Sequence, residues 1–151
     1  MSKTIILARP HPFIVSEMKP MLEQAGYTVI KLDDINDLPD LLESADGAVI
    51  SLAVTSSIPE SAEEVLARIH SQSPEIPVLF AGLLEFGKAC GILDNMANNM
   101  GINAAAFSTE TATRSPSALG HPNTLLYVSK DEISDPDRKR MARDLIRKHL
   151  G

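Results

Sequence analysis

The chain has 151 residues, 44% of them apolar and 23% charged, with a net charge of −6. This is ordinary globular composition and enough length for one domain, residues 1–151, with a real core. It excludes a disulfide framework or a C-x-x-C zinc or redox site, because Cys90 is the single cysteine.

No apolar run approaches the roughly 18–20 residues that a membrane span needs. The N-terminus lacks the apolar core and cleavage site of a secretory signal, so a cytoplasmic protein is expected. Residues 1–129 carry 7 basic and 15 acidic side chains, whereas residues 130–151 carry 7 and 5. An acidic body argues against nucleic-acid binding, which needs a basic footprint. The basic tail reads as the solvated face of an amphipathic helix.

The β-branched and aliphatic run at residues 3–9 predicts a buried strand. Over 13–25, Ile14, Met18, Met21, Leu22 and Ala25 share one helical face, and Gly26 ends the helix. Pro20 breaks the pattern, since it removes a backbone donor and should kink the helix. Residues 27–32 read as a second strand. Ile35, Leu38, Leu41 and Leu42 mark a short helix behind Asp33 and Asp34.

The run GAVISLAV at 47–54 is nearly continuous in apolar residues, as a central parallel strand should be. Ser57 and Glu60 around Pro59 resemble a capping box for a helix burying Ala62, Val65, Leu66 and Ile69. Residues 76–81 form another strand. Phe86, Ala89, Leu93, Met96 and Met100 make a further helical stripe, closed by Gly101.

Either 104–107 or 125–128 supplies a fifth strand, and the Ser/Thr/Pro/Gly-rich stretch between them reads as a loop. Ser134, Pro136 and Asp137 open a last helix whose seam is Met141, Ala142, Leu145, Ile146 and Leu150. The alternation predicts a doubly wound α/β fold. Its five-stranded parallel sheet has the order 2-1-3-4-5, with room for an extra strand and a C-terminal helix.

The stretches ARPHPFIVSEMKPMLEQAGYTVI and EEVLARIHSQSPEIPVLFAG resemble the receiver domain of bacterial two-component response regulators. His11-Pro12, the LEQAGYTVI segment and the Pro-x-Ile-Pro-Val entry carry the likeness, which covers about residues 3–107. The part from 108 to 151 is the most altered.

The resemblance implies an acidic pair for Mg²⁺ after the first strand, but Arg9 and Pro10 stand there. The family's phospho-accepting aspartate maps to Ser51, and its Thr or Ser after the fourth strand maps to Gly82. Its lysine maps to Ser108 or to Lys130, depending on which stretch is the fifth strand. Mg²⁺ wants carboxylate oxygens, and serine offers no carboxylate to a phosphoryl group. The chain therefore reads as a degenerate receiver with no catalytic residue, metal or cofactor.

Arg9 is expected to be structural, and His11 to serve a turn. Asp33, Asp34 and Asp46 do not stand where a receiver ligand would. His70, His121 and His149 form no metal set, and Cys90 reads as an inert core thiol. The expected function is a phosphorylation-independent signalling module working through protein–protein contact, as a homodimer or with a signalling partner. Interface candidates are Met96, Met100, Met141 and Leu145. The alternative is an anion or nucleotide sensor in which Arg9, His11 and Ser51 converge with Thr55, Ser56 and Ser57 beside a helix N-terminus.

Overall fold

A computed structural model describes residues 3–9, 11, 14–52, 60–121 and 123–151. The strands are β1 (Thr4–Arg9), β2 (Thr28–Lys31), β3 (Gly47–Ser51), β4 (Val78–Gly82), β5 (Ala105–Phe107) and β6 (Thr124–Ser129). The α-helices are α1 (Lys19–Gln24), α2 (Leu38–Leu42), α3 (Ala62–Gln72), α4 (Phe86–Met100), α5 (Thr109–Arg114), α6 (Lys130–Ser134) and α7 (Pro136–Leu150). All strand pairs are parallel, in one sheet of order β2-β1-β3-β4-β6-β5.

Side-chain alternation divides each central strand between two cores. Ile5, Leu7, Val49, Leu79, Ala81, Leu126 and Val128 face a layer containing Met21 and Leu22 of α1, Ala112 of α5, Ile133 of α6, and Ala142, Leu145, Ile146 and Leu150 of α7, the expected seam without the exposed Met141. Ile6, Ala8, Ala48, Ile50, Val78, Phe80, Leu125 and Tyr127 face the other layer, built from α2, α3 and α4. The near-continuous apolar runs of β3 and β4 follow from this coverage on both faces.

The two alternative fifth strands are both present, which makes six. After β4 the chain crosses through α4 to the far edge as β5. It then returns through α5 to place β6 between β4 and β5. A right-handed crossover that reverses direction must put its helix on the opposite face. Accordingly α5 lies on the face of α1 and α7, packed against α7, rather than on the face of α4. The stretch expected to be a loop thus holds a helix, held by the Ser108–Thr111 capping box, with Thr111 N–H 3.1 Å from Ser108 Oγ.

Local chemistry explains the other departures. A turn of π-helix, Ile14–Met18, precedes α1, so Pro20 falls in the first turn of α1, where a missing N–H is tolerated. Gly26 and Gly101 take the left-handed conformation after α1 and α4, at φ 102° and 70°. Helix α3 is capped by Ser61, whose hydroxyl accepts from Glu64 N–H at 3.1 Å. The expected cap pair loses Glu60 to the preceding turn, and Ser57 lies outside the described residues. Among the described residues, no helix is long and apolar enough to cross a membrane.

Candidate functional site

The carboxyl ends of the central strands form one row. Pairing places Arg9 beside Ile50, Ser51 beside Ala81, and Gly82 beside Ser129. In a doubly wound sheet, ligands bind in the crevice at this edge, where strand order reverses. The first reversal lies between β1 and β3.

Arg9 fills that crevice. A register shift between Leu7 and Arg9 ends the regular β1–β3 ladder just there. The Arg9 side chain turns inward and is only 6% exposed. Its Nη1 donates to the Ser51 carbonyl at 2.8 Å, and its Nε donates to the Glu60 carbonyl at 3.0 Å. One guanidinium therefore ties the ends of β1 and β3 to the turn before α3. Burial lowers its pKa from the ordinary arginine value. These two contacts bring its charge to main-chain carbonyl oxygens.

Ser51 is fully buried at the end of β3, and His11 is half-buried beyond β1. Pro10, Thr55, Ser56 and Ser57 lie outside the described residues. Glu60, read from sequence as a cap residue, instead meets Arg9 through its main-chain oxygen. The Arg-Pro-His-Pro string contains no signal that predicts this partner.

Gly82 ends β4 with no side chain because another group occupies the space. A Cβ built there would lie 2.9 Å from the Tyr127 hydroxyl, which donates to the Leu84 carbonyl at 2.7 Å. Burial, with Glu132 nearby, pushes the Tyr127 pKa up to about 12. The strand beside β4 is β6, and Lys130 follows it directly as an exposed residue. Ser108 follows the edge strand β5 instead and caps α5.

The donors at the β1–β3 edge do not fit Mg²⁺. A hard dication needs carboxylate oxygens, whereas here a buried guanidinium ends β1 and a serine ends β3. The sequence at 10–13 and 53–59 contains no acidic residue either. Asp46 accepts from Thr4 N–H at the opposite end of the sheet, Asp34 caps the turn before α2, and Asp33 pairs with Lys31. Among the described residues, no group of three or more His, Cys, Asp or Glu side chains is arranged to hold a metal.

Of the four interface candidates, Met96 and Leu145 are buried in the two cores and Met100 packs against one of them. Helical spacing placed them on the sheet side of their helices, so Met141, 43% exposed, is the one available to a partner. Cys90 is not a core thiol: it is half-buried and its Sγ–H donates to Asp94, 3.6 Å away. Burial and Asp94 both raise its pKa, which holds it in the unreactive thiol form.

The open parallel sheet, its 2-1-3-4 start and its helical layers define a receiver-like α/β protein. Solved structures agree. A signal receiver domain of an HD domain-containing protein from Pseudomonas fluorescens superposes with TM-score 0.58 at 18% identity, covering 100% of both chains. An orphan response regulator of H. pylori gives TM-score 0.56 at 14% identity, over 99% of this chain and 98% of its own. A response regulator receiver domain protein from Clostridium thermocellum gives 0.52 at 15% identity, over 99% and 98%. No protein-family model and no curated protein matches the chain.

Proposed function

We propose that this chain is a phosphorylation-independent pseudo-receiver, a signalling module that acts through protein–protein contact with a partner or a second copy of itself. One observation carries the reading. The crevice where a receiver would gather metal and phosphoryl oxygens is filled by the Arg9 guanidinium, hydrogen-bonded to the Ser51 and Glu60 carbonyls. Without a carboxylate at the end of β3 there is no acceptor for aspartate phosphorylation, and the reading is of a non-enzyme. What remains is surface, and Leu83, Ile92 and Met141 are its exposed large apolar residues among those described. The acidic body favours a protein partner over nucleic acid, and a cytoplasmic setting suits such a module.

Anion capture by Arg9 is the less supported alternative, because Nε and Nη1 already serve main-chain oxygens. The test is an amide NMR titration with Mg²⁺, then Mg²⁺ plus beryllofluoride, then phosphate, paired with mass analysis after acetyl phosphate. No Mg²⁺-dependent response at Arg9, Ser51 or Gly82 and no phosphoryl adduct are expected. A Mg²⁺-dependent beryllofluoride response would refute the reading. Phosphate shifts at Arg9 without Mg²⁺ would favour the sensor. A strict monomer at all concentrations with no protein partner would count against the contact role.

A further inference from the structure

The returning strand creates a second place where the chain divides. Beyond β4 it enters α4 on one face of the sheet, while beyond β5 and β6 it enters α5 and α6 on the other. The carboxyl ends of β4 and β6 are therefore a second switch point of the kind that opens a crevice. A cleft of about 660 Å³ lies there, walled by the residues that follow β4, β5 and β6 and closed by Arg138 and Met141 of α7. Clefts of roughly 300–1,000 Å³ suit small molecules.

Three features define what fits. Leu83 and Met141, 58% and 43% exposed, place apolar surface on its rim, and Phe86 adds to it. The charged groups facing the cleft are Glu85, Glu110, Asp131 and Glu132 against Arg114 and Arg138. Arg114 is held by Glu110 at 2.7 Å. Glu132, a buried residue in the wall, has Arg138 at 4.0 Å and the Thr109 and Ser129 donors beside its carboxyl, but its Oε2 has no hydrogen-bond partner among the described residues. A buried carboxyl oxygen without a donor is costly, and the cleft carries an excess of negative charge.

We infer that this cleft binds a small amphipathic organic cation, with its ammonium at Glu132 and Asp131 and its apolar body along Leu83, Phe86 and Met141. The ligand displaces the half-exposed Arg138 from its long contact and supplies the donor that Glu132 Oε2 lacks. The site is separate from the Arg9 crevice and does not depend on how that crevice is read.

The probe is n-pentylammonium chloride, titrated into isotope-labelled protein with pentanoate as the matched control. Saturable amide shifts over 108–114 and 129–132 with the ammonium, and none with pentanoate, are expected. Glu132→Gln should weaken binding about fivefold. Arg138→Gln, which removes the competing cation, should tighten it. Asp131→Asn, at an exposed position, should weaken it and covers the case in which Glu132→Gln does not fold. Unsaturable shifts, an equal response to pentanoate, or affinities unchanged in the folded variants would overturn the assignment.

Discussion

His149 shows how one side chain can tie distant segments together. It is 1% exposed near the end of α7, with Nε2 2.9 Å from the Val78 carbonyl. Its Nδ1 accepts from Gly120 N–H at 3.0 Å. Both bonds are satisfied only by the neutral ring carrying its proton on Nε2. Burial lowers the His149 pKa from the ordinary 6.5, with His121 adding to the effect. The unfolded chain then binds this proton more readily, so the His149 contribution is lost as pH falls from 6.5 through the folded value. His149→Leu should lower stability at neutral pH by about 2 kcal/mol, chiefly from the buried Val78 carbonyl left without a donor, with the part-buried Gly120 N–H adding less. It should also flatten the loss of urea midpoint on acidification. Glu132 acts in the opposite sense. Burial raises its pKa from 4.5, so its contribution is full below 4.5 and lost as pH rises through the folded value. Glu132→Gln should therefore gain on the wild type as pH rises above 4.5 through the folded value, read from the same midpoints. Gly82 gives a test by double substitution. Gly82→Ala should cost about 1–3 kcal/mol by overpacking against the Tyr127 hydroxyl, and most of that cost should vanish in a Tyr127→Phe background. Equal costs in both backgrounds would show that the hydroxyl is not the obstacle.

At the scale of elements, the informative piece is the β5–α5 insertion. Strand β5 has only three residues and pairs on one side only, with β6. Its attachment relies on the short α5, whose first turn is organised by Ser108 and Thr111. Ser108→Ala should cost about 1 kcal/mol and raise amide exchange over 105–114 before it affects β1 or β3. A uniform rise across the sheet would show that the insertion does not open separately. The capping pattern was visible in the sequence as Ser-Thr-Glu-Thr, but the Ser/Pro/Gly content that follows suggested a loop. Propensity was weak over a six-residue helix, and burial of Thr109 and Ala112 under α7 decided the matter. The reverse held for α4 and α7, whose apolar stripes are long enough to declare both helix and buried face.

At the scale of the whole molecule, the two cores share the same strands and should melt together. The two tyrosines lie on opposite faces of the sheet, Tyr27 in one core and Tyr127 in the other. With no tryptophan in the chain, tyrosine signals from Tyr27→Phe and Tyr127→Phe proteins report each face separately. Each variant's tyrosine transition should coincide with its own far-UV circular dichroism transition. Transitions that separate would mean that one helical layer is lost while the other persists.

The sequence by itself determined the layered α/β order, the short central strands and the non-acidic residues Arg9 and Ser51 at two strand ends. These follow from apolar periodicity and residue identity, which are local properties of the chain. Only the tertiary structure decided that both candidate strands pair, that β6 stands inside β5, and that Arg9 ends on the carbonyls of Ser51 and Glu60. Strand neighbours and the hydrogen-bond partners of Arg9 and His149 join residues from about 20 to 71 positions apart. No local pattern encodes those pairings, because packing both faces of one sheet selects among strand orders that local propensity leaves equal.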